Sequence, residues 1–507
     1  MKFPRSCGVI LHPTSLPGRF GIGDMGPAAH RFIDWLAAAG QKIWQVLPLG
    51  PTGYGDSPYQ SFSAFAGNPL LIDLEPLARE GLIDQADLEG APAFPEDHVD
   101  YGRVIEFKLP LLRKASRAFH ARTSGGERED YDDFTTRHAH WLDDFALFMA
   151  LKGEHDEVTW TRWNRAFARR EPAAMEAARE RLREEIEAQK FQQYIFFEQW
   201  ESLRQYCHER KIRIMGDMPI YVAHDSADVW ADPELFLLDE NGDPEYVAGV
   251  PPDYFSATGQ LWGNPLYRWD LMAKRGYGWW MLRFQATLGL VDMIRLDHFR
   301  GFEGYWQVPA GEATAMNGEW MKGPGADFFE TVEAALGALP MVAENLGVIT
   351  PEVEGIRMDF GYPGMSILQF AFGNDPHGPD FRPHNYPRER VAYTGTHDND
   401  TTVGWWNSTA ATGSIRTEED IRKEREFTRE YLATDGADIN WVFIRTVLAS
   451  VADTALYPVQ DVLGLGTEAR MNLPGRPNGN WRWRCRHGAL TPELAARLKE
   501  LVTLYDR

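Results

Sequence analysis

Four carboxylates stand at or just past the C-terminal ends of short apolar runs: Asp217 in GDMPIY, Asp297 in IRLDHFRG, Glu344 in VAENLG and Asp398 in GTHDNDT. Acids gathered at one point repel one another, so such a cluster needs a cation, a shared proton or a metal beside it. Each acid taken alone also fits a helix cap, because a carboxylate can accept from the first amides of the next helix. Asp297 has a specific companion. Residues two apart on a strand face the same way, so Met293, Arg295 and Asp297 share one side and Ile294 and Leu296 the other. A guanidinium beside Asp297 keeps it ionised, the state a nucleophile requires; the same two residues also fit a structural ion pair. Glu344 follows Met341, Val342 and Ala343. An apolar approach raises a carboxyl pKa and holds a proton ready for a leaving group. An ionised Asp and a protonated Glu are the pair that retaining glycosidic chemistry uses, with the carboxyl groups about 5–5.5 Å apart. His397 beside Asp398 offers a donor and an acceptor for sugar hydroxyls. No His-x-x-x-His spacing supports a metal, and neither metal nor cofactor is expected.

Composition agrees with that chemistry. The 507 residues include 18 Trp, 18 Tyr and 28 Phe, 13% aromatic in all. Many must be core, but pyranose rings also present apolar C–H faces that stack on aromatic planes. Lys plus Arg is 52 against Asp plus Glu 74, a formal net charge of −22, which argues against nucleic acid or an anionic membrane as the main partner. Three separated cysteines, Cys7, Cys207 and Cys485, exclude a disulfide framework and suit a reducing, cytoplasmic setting. The start, MKFPRSCGVILHP, reads as neither a signal peptide nor a membrane span. No obligate protein partner is evident. Gly21–Gly26 matches GxGxxG, but residues 13–20 separate it from the preceding apolar run, so a dinucleotide site is the weaker reading.

The elements that must position these acids are eight buried strand-like runs: Gly8–His12, Ile43–Leu49, Ile212–Met218, Val291–Asp297, Met341–Glu344, Ser366–Phe370, Val391–Thr396 and Tyr457–Leu463. Helical patterns such as Ala28–Ala39 and Ala326–Leu336 lie between them. The expected fold is a (β/α)8 barrel over residues 1–507, whose strand C-termini open on one face; a doubly wound sheet is the alternative. Residues 51–210 read as a helical insertion, including one long amphipathic helix over Glu171–Trp200. Residues 221–276 read as a loop-rich insertion. Thr123–Asp130 (TSGGERED) is the one stretch whose composition favours disorder.

Taken together, these residues resemble the 4-α-glucanotransferases called amylomaltase or disproportionating enzyme, glycoside hydrolase family 77. The matching segments are LHPTSLPGRFGIGDMG (11–26), WQVLPLGPTGYGDSPYQ (44–60), GDMPIYVAHDSADVW (216–230), GQLWGNPLY (259–267), RLDHFRGFEGYW (295–306), AENLG (343–347), GTHDND (395–400), EARMNLPG (468–475) and GNWRWR (479–484). The resemblance implies a barrel with inserted subdomains and no C-terminal β-domain. It implies Asp297 as nucleophile, Glu344 as general acid/base and Asp398 as the third carboxylate. It also implies sugar contacts from Tyr59, Ser57, Asp217, Arg295, His397 and Phe370. Trp262 and Asn264 would belong to an acceptor-side loop, and Asn472 and Pro474 to a second loop over the cleft. Tyr54 and Tyr101 resemble a remote glucan site. The substrates implied are α-1,4-glucans and maltooligosaccharides. An α-glucan hydrolase of the same chemistry and a non-catalytic glucan-binding protein remain as alternatives.

Overall fold

The computed structural model describes residues 3–122, 126–252, 256–410, 416–476 and 478–507, and of Tyr54 the backbone alone. Among these, twelve strands form two sheets: β1 Ser6–Ile10, β2 Ile43–Gln45, β3 Arg213–Met218, β4 Tyr246–Val250, β5 Gln260–Pro265, β6 Met293–Leu296, β7 Gly304–Pro309, β8 Glu319–Lys322, β9 Met341–Ala343, β10 Gly364–Ile367, β11 Arg390–Tyr393 and β12 Thr454–Pro458. The larger sheet is parallel, in the order β10-β11-β12-β1-β2-β3-β6-β9. Its ends meet across β9 and β10. There the Ala343 N–H donates to the Pro363 carbonyl at 2.9 Å, and the Met365 N–H donates to Asn345 Oδ1 at 2.9 Å. The sheet is therefore a nearly closed eight-stranded barrel with helices around it. Strands buried on both faces explain the near-continuous apolar runs. Gly8 shows how tightly β1 and β2 pack: a Cβ there would lie 2.2 Å from the Ile43 carbonyl.

The barrel interior is filled in layers. Ile43, Met215, Met293, Val342, Val391 and Leu456 form an inner apolar cluster. Two residues further along their strands, toward the C-terminal face, the same inward positions turn polar. They carry Gln45, Asp217, Arg295, Glu344 and Tyr393. Ile294 and Leu296 instead join the outer core beneath the helices, so the two faces of β6 separate as their alternation requires.

The eight expected runs coincide with the eight barrel strands, with shifts at their ends. In Tyr457–Leu463 the strand is Thr454–Pro458, and Val459–Leu463 is a helix after Pro458. In Ser366–Phe370 the strand stops at Ile367 and Leu368–Phe370 forms a 3-10 turn. The expected single helix over Glu171–Trp200 is two, Pro172–Arg181 and Arg183–Glu209, hinged at Leu182. Its apolar stripe is still buried at Met175, Ala178, Leu182 and Ile186. The second of these helices packs on the barrel itself: Trp200 donates to the Leu290 carbonyl at 2.8 Å, and Arg204 pairs with Asp292 at 3.0 Å. Residues 126–130 open the helix Gly126–Glu154, while 123–125 lie outside the described residues. Within the stretch read as loops, 221–276, β4 and β5 are strands. They pair with β7 and β8 in an antiparallel sheet ordered β5-β4-β7-β8. The outer core is shared: Trp44 of β2 and Trp141 and Phe145 of Gly126–Glu154 belong to one apolar cluster.

Candidate active site

Strand register sets the site. Asp217 on β3 lies opposite Arg295 on β6. Arg295 Nη1 donates to Asp217 Oδ1 and Oδ2 at 2.8 and 2.7 Å, and to Asp297 Oδ1 at 2.9 Å. The side chains of Arg295 and Asp217 are 4% and 0% exposed, and that of Asp297 is 25% exposed. One guanidinium thus holds two acids on the floor of the barrel mouth. It occupies the place where a cation is needed to offset their repulsion. Register also places Glu344. β6 and β9 pair Leu296 with Ala343, so Asp297 and Glu344 follow as neighbours across strands about 4.8 Å apart.

The chain turns sharply at His298, whose φ of 50° and ψ of 48° lie in the left-handed region. That conformation costs about 1–2 kcal/mol in a residue with a side chain. It aims the His298 N–H at Glu344 Oε2, 2.7 Å away, tying the glutamate to the residue after Asp297. Burial pushes Glu344 up to about 8, opposed by Arg295. Burial also pushes Asp297 up to about 7, opposed by its direct bond to Arg295. The order follows from contact: Asp297, bonded to the guanidinium and open to the cleft, loses its proton before Glu344 does.

A second group closes the side of the mouth. The Tyr59 hydroxyl lies 2.9 Å from Asp217 Oδ2 and 2.8 Å from His397 Nε2. The network is satisfied when Tyr59 donates to Asp217 and His397 donates from Nε2. Burial pushes His397 below its ordinary value, which keeps it neutral. The Tyr59 ring stacks on His397, centroids 5.2 Å apart, and both rest against Trp481. Ser57 Oγ accepts from the Tyr59 N–H at 3.2 Å. Asp398 lies further out, 45% exposed. Asn472 Nδ2 donates to its Oδ1 at 2.6 Å, and Arg470 holds its backbone carbonyl at 2.6 Å. Asn480 bonds the backbone of Leu473 and Arg476, pinning the loop that carries exposed Pro474.

On the opposite rim, half-buried Trp262 of β5 meets the His298 ring edge-on, centroids 4.7 Å apart. Asn264 is buried, and its amide donates to the Val222 carbonyl at 2.8 Å while accepting from Gln60. Its polar atoms therefore brace the loop. Phe370 packs edge-on against Phe381 beside the inner cluster.

The structure thus joins Tyr59, Asp217, Arg295, Asp297, His397, Asp398 and Asn472 in one connected group, and Glu344 reaches it through the amide of His298, the residue after Asp297. It does not bring Tyr101 to any open face. Tyr101 is 3% exposed and its hydroxyl donates to the Trp481 carbonyl at 3.0 Å, so the remote-site expectation for it is corrected to packing. The Tyr54 side chain lies outside the described residues. The glycine motif is also closed: the Gly23 N–H donates to the Thr14 carbonyl at 2.9 Å, and that of Gly26 to Asp24 Oδ1 at 3.1 Å. Two residues went unread in the sequence. The His298 amide has no side-chain signature, although a residue directly after a strand-end acid is a place to look for a turn. Trp481 sat in the quoted GNWRWR segment without a role.

A parallel barrel with acids at adjacent strand ends and aromatic rings at the rim is the architecture of many carbohydrate-active enzymes. The family model for 4-α-glucanotransferases, glycoside hydrolase family 77, matches residues 11–491. A 4-α-glucanotransferase of Thermus thermophilus is 51% identical over 515 residues, covering 100% of both chains. One of Synechocystis is 49% identical, covering 99% of this chain and 98% of that one. The solved amylomaltase of Streptococcus agalactiae in complex with acarbose superimposes with a TM-score of 0.93 at 40% identity, covering 99% of each chain. The chain belongs to glycoside hydrolase family 77 and is a 4-α-glucanotransferase. No helix among the described residues is long and apolar enough to cross a membrane.

Proposed function

We propose that the chain moves α-1,4-glucan segments by double displacement, with Asp297 as nucleophile and Glu344 as acid/base. The observation that carries this reading is the shared fixation of the pair: Arg295 bonds Asp297, and the amide of His298 bonds Glu344. In the first step an Asp297 oxygen attacks the anomeric carbon as the glycosidic C–O bond breaks. The Glu344 proton passes to the departing 4-oxygen. The result is a glycosyl ester on Asp297 and an ionised Glu344. In the second step Glu344 takes the proton of an incoming 4-OH, the new C–O bond forms and the ester bond breaks. Configuration at the anomeric carbon is retained. Asp398 and His397 hold donor hydroxyls around the distorted ring, Asp217 and Arg295 fix the groups that face it, and Tyr59 walls that side. Substrates are α-1,4-glucans and maltooligosaccharides; the acidic surface supports a neutral ligand over nucleic acid. Three buried free thiols support a cytoplasmic location.

Transfer must outcompete hydrolysis. Water at about 55 M against sugar at about 1 mM is a deficit of roughly 6–7 kcal/mol at 1.4 kcal/mol per decade. Orientation of the acceptor against Trp262 supplies part of it, and water exclusion by the loops over the cleft, around Tyr254–Asn264 and Asn472–Gly475, the rest. Residues 253–255 of the first loop lie outside the described residues. Incubation with maltotriose tests the reading: a ladder of longer oligosaccharides beside glucose or maltose is expected. Products no longer than the substrate would favour the hydrolase.

A further inference from the structure

The small antiparallel sheet has two faces. Ala248, Tyr305 and Trp262 turn toward the main core, while Val247, Val308 and Ala315 make a satellite cluster on the other face. Trp306 and Trp320 are cross-strand partners on that outer face. Trp306 is capped: its indole N–H donates to the Ala315 carbonyl at 2.9 Å, and a Cβ on Gly318 would lie 2.3 Å from its ring nitrogen. Trp320 is not capped. It is 42% exposed, an unusual state for the largest apolar side chain.

This exposed ring is also held still. Trp306 meets it edge-on, centroids 5.2 Å apart, and the Arg300 guanidinium lies 3.7 Å from its centroid. Arg300 is only 7% exposed and is itself fixed by the carbonyls of Gly304 and Val348. A cation on one ring face and an indole at the edge leave the remaining surface presented to solvent in one orientation. Met316 and Val348, 56% and 55% exposed, are further exposed apolar side chains on the covering turn and beside Arg300. The residues that support the ring follow the proposed catalytic pair closely along the chain. Arg300 lies three residues after Asp297, and Val348 four after Glu344.

We propose that Trp320 is a docking platform for the part of a long α-glucan that projects beyond the cleft. An uncharged, pre-oriented indole suits the C–H face of a pyranose, and a neutral ligand is the kind that a chain of net charge −22 admits beside it. The contacts with Trp306 and Arg300 favour one orientation of the ring, which reduces the rotamer entropy lost on binding. The proposal rests on the glucanotransferase reading above.

The test uses Trp320→Ala and Trp320→Phe in the full chain, with maltotriose and with amylose as separate substrates. Maltotriose disproportionation is expected to stay within about twofold of wild type. KM for amylose is expected to rise about fivefold or more in Trp320→Ala, less in Trp320→Phe, with kcat little changed. Retardation in native gels containing amylose should weaken in parallel. Unchanged amylose KM and gel mobility would overturn the platform while leaving the maltotriose activity, and so the functional reading, intact. Loss of a wild-type dimer by light scattering, with amylose KM unchanged, would overturn it in favour of self-association. Equal loss on both substrates would overturn it in favour of a structural role.

Discussion

The two sides of the cleft are built differently. On the floor, the Asp217 and Arg295 side chains are buried, 0% and 4% exposed, and the Arg295 guanidinium holds both Asp217 and Asp297. On the rim, Asp398 is 45% exposed and is held by an amide and a backbone contact, while Trp262 rests half-buried on His298. On the proposed mechanism the floor serves bond cleavage, where charge must be fixed before the reaction begins. On the same proposal the rim serves partner choice, where rings and loops must admit a sugar and exclude water. Damage to the floor should therefore cost stability and turnover together. Damage to the rim should redistribute products.

The largest effect expected is at the floor. Arg295→Met leaves Asp217 buried without its counter-charge, and breaking such a pair costs about 3–5 kcal/mol. Denaturant unfolding should show that loss, and transfer should fall with it because Asp297 then keeps its proton near neutral pH. If Trp262→Ala destabilises the chain as much as Arg295→Met, the contrast between floor and rim is wrong.

A second expectation concerns pH. Glu344 in the folded chain is pushed up to about 8 by burial, above the ordinary value of an unfolded glutamate. Its raised value gives stability that is complete below the unfolded pKa and lost as pH rises through the folded one. Glu344→Gln, which carries no charge, should thus gain stability relative to wild type between about pH 5 and pH 8, with the gap closing near pH 4. Thermal unfolding across that range reads it. A gap independent of pH would mean that Glu344 titrates alike in both states. Turnover in wild type should decline above about pH 8 as the acid loses its proton, and in acid as Asp297 gains one.

The smallest effect is at the rim. Trp262→Ala is expected to raise the ratio of hydrolysis to transfer severalfold, and more than it lowers total bond cleavage. Reducing-end release measured beside transfer to labelled glucose separates the two. Both rates falling together would make Trp262 a support for His298 alone.

The floor was far more legible in the sequence than the rim. Strand alternation gave Arg295 and Asp297 a common side, and the buried runs located all eight barrel strands, because parallel strands under helices are apolar on both faces. β4 and β5 do not stand out in the sequence because Gly249, Gly263 and Pro265 interrupt their short alternation, and their partners β7 and β8 lie beyond β6. Tyr101 was misassigned because an aromatic on a helix reads alike whether it is packed or presented. The hinge at Leu182 leaves the apolar period intact, so periodicity could not reveal it. The His298 turn is a backbone event, and composition carries no trace of it.

The most direct test of the central claim is to trap the intermediate. Glu344→Gln incubated with α-glucosyl fluoride needs no proton for the first step and lacks the base for the second. Intact-mass measurement should show one added glycosyl unit, and peptide mapping should place it on Asp297. An adduct on Asp217 or Asp398, or equal loss of both steps with no adduct, would contradict the assignment of nucleophile and acid/base.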